Sequence, residues 1–148
     1  MNREERTEQK MQELFHSHAA GDEGSDGEFM QILQGYIFGD VCYTGSLDNR
    51  TRELVTVTVL TVLSALPQIK AHVGASLNAG CTPVEIREAV YQCAPFIGFP
   101  KTLNAIAAMN EVFSQQGIDL LLPSQKTLTG RDEKERYEKG LAIQAPLY

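Results

Sequence analysis

Hydrophobic positions recur at intervals of three and four along most of this chain, the spacing of helices that bury one face. Residues 1–20 are charged at nearly every turn, and Met11, Leu14 and Phe15 form the narrow apolar stripe of an amphipathic helix. The acidic, glycine-rich run from Gly21 to Gly27 reads as a loop or linker. Phe29, Ile32, Leu33, Tyr36 and Ile37 then fit a helix with one apolar face that stops at Gly39. Further on, Ile69, Val73, Ser76 and Leu77 share a face of a helix over 68–79 that exits at Gly80. Thr82-Pro83-Val84-Glu85 is a helix start, with Thr as N-cap, Pro at the first helical position and Glu closing a capping box. Ile86, Ala89, Val90, Cys93 and Ala94 lie along the stripe that follows, so Cys93 reads as core. After the break at Gly98-Phe99-Pro100, Leu103, Ile106, Ala107, Asn110 and Phe113 mark another helix ending at Gly117.

Residues 50–66 pull two ways. Val55-Thr56-Val57-Thr58-Val59 alternates and is β-branched, which favours a strand locally. The segment nevertheless runs from Arg50 to Leu66 without Gly or Pro, too long for an ordinary strand, and Ser46 or Asp48 can cap a helix. It is predicted as a helix, apolar on most sides and therefore central, ended by Pro67. No segment then demands a strand, and the fold class is all-α, with about six to seven helices. The organisation expected is a charged helix and linker over 1–27, a helical domain over 28–117, and an extension over 118–148 whose part from 131 to 144 is helix-compatible.

A chain of 148 residues with 43% hydrophobic and 22% charged residues is an ordinary globular domain with enough apolar material for its own core. Its formal charge of −6 is the wrong sign for a surface that neutralises phosphates, so neither nucleic acid nor an anionic membrane is an expected partner. With no long apolar run and a start charged from its third residue, a cytoplasmic protein without a secretory signal is expected. Cys42, Cys81 and Cys93 form no metal or disulfide spacing and read as reduced thiols.

Phosphate loops, HExxH and GxSxG are all missing, which removes the nucleotide, zinc-protease and α/β-hydrolase readings. His16 and His18, two apart on a helix, point to different sides and suit a solvated face better than a metal site; no metal and no cofactor are expected. His72 lies beside the stripe of Ile69, Val73 and Ser76, where it is either a core histidine satisfied by one hydrogen bond or an acid/base group. Arg50, Arg52 and Glu53 open the 50–66 helix. They read either as ordinary first-turn charges or as anchors for an anionic substrate, with Glu53 as partner of His72.

Taken in order, Tyr36–Asp40, Gly45–Leu54, His72, Leu77–Ile86 and Gly98–Pro100 resemble the carboxymuconolactone decarboxylase family over roughly residues 29–115. The resemblance implies the AhpD-like helical fold. Members of the alkylhydroperoxidase branch carry Glu, then CxxC twelve residues on, then His four residues after the second Cys. Here Glu53 and His72 hold the outer positions, but Ala65 and Gln68 stand where the cysteines would be. Cys81 and Cys93 are no substitute pair, because about 15 Å of helix axis separates Pro83 from Cys93.

The resemblance therefore implies the decarboxylase branch: cofactor-free decarboxylation of a carboxylated lactone or related anionic molecule, and through it a place in aromatic catabolism. His72 would be general acid/base, Glu53 its orienting partner, and Arg50 and Arg52 anion binders. It also implies a homotrimer or homohexamer, with the charged N-terminal helix packing across a neighbour. Two alternatives stay open: a thiol peroxidase using a lone cysteine such as Cys81, its pKa lowered by the helix starting at Pro83, and a non-catalytic oligomeric binding protein. A straight hairpin about Pro67 would leave Glu53 about 20 Å from the turn and His72 about 8 Å, so spacing alone does not bring the pair together. Either the hairpin is bent or the partner of His72 comes from another subunit.

Overall fold

The computed structural model describes residues 1–128, 130 and 132–147. Among them every regular element is helical: α1 (Arg3–Phe15), α2 (Gly27–Gln34), α3 (Asn49–Leu63), α4 (Leu66–Asn78), α5 (Pro83–Tyr91), α6 (Ala94–Ile97), α7 (Phe99–Gln115) and α8 (Glu133–Gln144). A π-helical turn, Gly35–Asp40, continues α2, and short 3-10 turns follow at Val41–Tyr43 and Ala145–Leu147. Of the extension expected to be helical over 131–144, α8 covers Glu133–Gln144, while Thr129 and Arg131 lie outside the described residues.

Local chemistry explains why α3 is a helix despite its valines and threonines. Asp48 caps it by accepting from the Thr51 amide at 2.7 Å. Thr56 and Thr58 donate to the carbonyls of Arg52 and Leu54 one turn back, which satisfies their hydroxyls inside the helix. The helix ends at Leu63, earlier than Pro67, because Ser64 adopts a left-handed conformation at φ 56°. Pro67 sits in the first turn of α4, where its missing N–H costs no hydrogen bond. Proline here starts a helix rather than ending one.

The main core gathers Val57 of α3, Ile69 and Val73 of α4, Ile86 and Val90 of α5, and Met109 and Phe113 of α7. Cys81 belongs to it, and Cys93 is buried as its place on the stripe predicts. A second, smaller cluster holds α1 to the rest through Met11, Leu14, Phe38 and Ala75. The N-terminal helix therefore packs against the helices of its own chain. Burying Leu14 completely contributes about 1.5–3 kcal/mol relative to leaving it in water.

Three predicted faces turn out differently. The stripe of Phe29, Ile32 and Tyr36 faces outward, and it is Gln34, Gly35, Phe38 and Gly39 that turn inward against α1. On α7 the buried face is Thr102, Ala105, Ala108, Met109, Val112 and Phe113, while Leu103 and Ala107 are exposed. Small alanines let α7 approach its neighbours closely, so the larger Leu103 is left outside. Helix α3 buries only Glu53, Val57 and Thr61, with Val55, Val59 and Val62 exposed. In each case the helix is apolar on more than one side, and pattern alone cannot choose which side meets this chain's core.

Candidate active site

The hairpin of α3 and α4 builds the site. Glu53 stands on the inner face of α3, one turn before Val57, with its side chain 3% exposed. His72 stands on α4, one turn before the buried Ser76, whose hydroxyl donates back to the His72 carbonyl at 2.7 Å. His72 Nδ1 lies 2.7 Å from Glu53 Oε2. The pair meets within one chain, and the left-handed turn at Ser64 is the reason. With the helix ending at Leu63, Glu53 is about 15 Å of helix axis from the turn and His72 about 9 Å from the start of α4. Two side chains of this length span the remaining offset.

With Glu53 as the carboxylate, which only accepts hydrogen bonds, the donor of this contact is Nδ1–H of His72. Nε2 is left with no hydrogen-bond partner among the described residues, on a ring 18% exposed. This is the geometry of an imidazole held by a buried carboxylate at one nitrogen and offered to a reactant at the other. Around it, the Phe15 ring lies nearly perpendicular to the imidazole at 5.5 Å between centroids, and Phe15 in turn meets Phe38 at 5.2 Å. Neither aromatic is legible as a site residue in the sequence, since nothing local links residue 15 to residue 72.

The two arginines part company. Arg50 pairs with Glu85 of α5. Glu85 also accepts from the Thr82 amide at 2.8 Å and its hydroxyl at 2.9 Å, and these bonds, led by the amide, bring its pKa down from 4.5 to about 2. Arg50 is thus the outer strut of a capping box and does not reach His72. Arg52 is held far more loosely. Its Nε is buried without a partner, and its Nη2 makes only long contacts, 3.4 Å each, to the carbonyls of Thr44 and Leu47. Cys42, half-buried beside this group, feels the charges of both Arg52 and Glu53, although burial is the main reason its pKa is raised.

The expectation that a helix N-terminus lowers the Cys81 pKa is not met. Cys81 is buried, its Sγ lies 3.5 Å from the Arg50 carbonyl, and burial pushes the thiol upward against the opposing pull of the Arg50 charge. Cys93 is raised by burial as well. His16 is the exposed C-cap of α1, and His18 is exposed with Nδ1 2.6 Å from Glu8 Oε1. No group of three or more possible metal ligands occurs among the described residues. Nor is any described helix long and apolar enough to cross a membrane.

Concavity and chemistry point to different places. A cleft of about 850 Å³ opens between α1, the 19–22 segment and α2, and another of about 420 Å³ lies beside Arg87 and Tyr91; neither is lined by His72, Glu53 or Arg52. The chemistry decides, because the groups lining the larger cleft are largely engaged already: Glu8 with His18 and Ala19, and Arg3 with Asp40 and Gly35.

A sequence model of the Carboxymuconolactone decarboxylase family matches residues 27–111, which include α2 through most of α7 and with them Glu53, His72 and Arg52. The chain is 31% identical to a 4-carboxymuconolactone decarboxylase of Acinetobacter baylyi over 91 residues, 62% of this chain and 68% of that one. It is 35% identical to an uncharacterized 15.0 kDa protein of Paracoccus denitrificans over 81 residues, 53% of this chain and 60% of that one. It is also 25% identical to a nitrosuccinic acid decarboxylase of Metarhizium robertsii over 109 residues, 74% of this chain and 66% of that one.

Proposed function

The chain belongs to the carboxymuconolactone decarboxylase family, and from that premise we propose that it catalyses the cofactor-free decarboxylation of a carboxylated lactone or a related anionic small molecule. The observation that carries the reading is the 2.7 Å contact between His72 Nδ1 and the buried Glu53. Two relatives are named for decarboxylating 4-carboxymuconolactone and nitrosuccinic acid. In each the carboxylate to be lost accompanies a group, lactone carbonyl or nitro, that can take up an electron pair.

The steps follow from that chemistry. The bond from carbon to the departing carboxylate breaks, carbon dioxide leaves, and its electron pair moves into the electron-withdrawing group of the substrate itself, so no cofactor is needed as a sink. His72, protonated on both nitrogens and held by Glu53, then gives the Nε2 proton to the carbanionic carbon. It ends as the neutral ring with Nδ1–H still donating to Glu53, and solvent restores the Nε2 proton. Arg52, with donors to spare, binds the carboxylate that stays. Arg50 takes no part, since Glu85 already holds it.

Assembly with further copies of the chain is part of the same reading. Val55, Val59 and Val62 on α3, Phe29, Ile32 and Tyr36 on and after α2, and Phe96, Phe99 and Leu103 around α6 and α7 are all large and exposed on the single chain, which supports self-association; that it takes the form of a homotrimer or homohexamer rests on the family resemblance. The test is carbon dioxide release from 4-carboxymuconolactone and from nitrosuccinate by the unaltered protein and by His72→Ala. Turnover of either substrate that disappears in the variant is expected. Turnover that survives His72→Ala would overturn the role of the histidine, and no turnover of any carboxylated substrate would overturn the reaction.

A further inference from the structure

We propose that α1, a helix outside the family-matched region, is a positioning element of the acid/base site: docked on the π-helical turn, it sets Phe15 against His72 and fixes the imidazole with Nδ1 on Glu53. The inference rests on the acid/base reading of His72 given above. The matched region begins at residue 27, whereas α1 spans Arg3–Phe15, so the contact is made by a part of this chain outside that match.

The docking is built, not incidental. Gly35 and Gly39 present a flat backbone surface one turn apart, and α1 lies directly on it. A Cβ on Gly39 would stand 2.5 Å from Thr7 Oγ1 and 2.9 Å from Arg3 Cγ, closer than real atoms approach, so α1 seats there only on glycine. Arg3 ties the near end, donating to the Gly35 carbonyl at 3.2 Å and pairing with Asp40 at 3.0 Å. At the far end Asn78 on α4 donates to the Leu14 carbonyl at 2.8 Å, which anchors the last turn of α1 to the helix that carries His72. Leu14 is fully buried beside that anchor.

Phe15 is the next residue, and its ring meets the imidazole at 86° and 5.5 Å. A histidine with one hydrogen bond can still rotate about χ2 and exchange which nitrogen faces the carboxylate. An aromatic wall on its flank, itself backed by Phe38, removes that freedom and keeps Nε2 free for the reactant. Phe15 is therefore a positioning residue acting through His72, with no requirement that it touch the substrate.

Two variants of the full chain test this by different routes. Phe15→Ala removes the wall, and Gly39→Ala lifts α1 from its seat without altering Phe15. The readout is the pair of imidazole 15N shifts of His72 in alkaline buffer, assigned by their loss in His72→Ala, together with kcat and KM for decarboxylation. The unaltered chain should show a single tautomer with the proton on Nδ1. Both variants should show exchange between tautomers, with kcat lowered roughly 10- to 100-fold and KM little changed. Phe15→Leu, which conserves apolar volume and keeps the fold if Phe15→Ala loses it, should fall between. Unchanged 15N shifts in Phe15→Leu and Gly39→Ala, with folded protein, would overturn the proposal. If no substrate is turned over, the ring spectrum alone still decides the positioning role, while the reading of function fails separately.

Discussion

Within four residues of each other on the first turns of α3, Arg50 and Glu53 enter two carboxylate–base pairs of opposite kind. The Arg50–Glu85 pair is partly exposed, and Glu85 has three donors around it: the Thr82 amide, the Thr82 hydroxyl and the guanidinium. Glu53 is buried, and the imidazole of His72 is its hydrogen-bond partner. The first pair finishes a helix cap, and water and neighbouring donors can replace either member. In the second pair each group is the other's one side-chain hydrogen-bond partner among the described residues, and the far nitrogen of the ring stays free. Two glutamates paired from the same end of α3 thus differ in burial and in the number of other partners each has.

The contrast breaks most visibly at His72. His72→Ala should lower the decarboxylation rate by about 100- to 10,000-fold, the usual worth of a positioned acid/base group, and leave Glu53 buried and unpaired, with a loss of stability of about 1–3 kcal/mol. Rate assays and denaturant unfolding check the two effects together. A His72→Ala protein as active as its parent would make the buried pair as structural as the exposed one.

The arginines sharpen the comparison next. Arg52→Ala should raise KM by about 10- to 100-fold, the size of one lost hydrogen bond between a guanidinium and a carboxylate, with kcat less affected. Arg50→Ala should leave KM where it was and show only in a small drop in Tm. Steady-state kinetics on the two variants side by side decides which arginine serves the substrate; a reversal of the two results would move the anion site to the α3–α5 surface.

A smaller effect separates the pairs by pH. Glu85 is depressed to about 2 in the folded chain, so its contribution to stability is complete above pH 4.5 and lost as pH falls from there through about 2. Thermal unfolding of the parent should therefore lose more Tm across that window than Glu85→Gln does. Identical acid profiles would mean that the capping box contributes nothing.

The smallest change is expected at the cysteines. Buried Cys81, its pKa raised by burial, should react with iodoacetamide more slowly than a free thiol at neutral pH, and the less buried Cys42 should label ahead of it in native protein. Mass spectrometry of the labelled chain reads both. Fast labelling at Cys81 would reopen a thiol chemistry.

Much of this could be read along the chain. The capping box at Thr82 and Glu85, the helical nature of 50–63 and the inner face of α4 all emerge as the pattern predicts, because a cap needs only four consecutive residues and a helix of this length needs only its own run without Gly or Pro. The outward turn of Phe29, Ile32 and Tyr36, and of Leu103 on α7, was not legible. Those helices have more apolar surface than one side of a small domain can bury, and which side meets the core depends on Gly35, Gly39, Ala105 and Ala108 allowing close approach.

The site divides along the same line. The candidates Glu53, His72 and Arg52 were available from residue type and order, since acid/base and anion-binding chemistry is carried by those side chains wherever they stand. That Glu53 and His72 meet in one chain was decided by a single left-handed residue, Ser64, which shortens the arm from the turn to Glu53. Likewise Arg50 was set apart from Arg52 by Glu85 on a different helix, and Phe15 was brought to His72 across fifty-seven positions of chain by a seat of two glycines. Local sequence determines which groups exist and which segments coil, because caps and periodicity act over a few residues. Contacts between distant residues depend on how whole helices stack, and that is settled only when all their faces compete for one core.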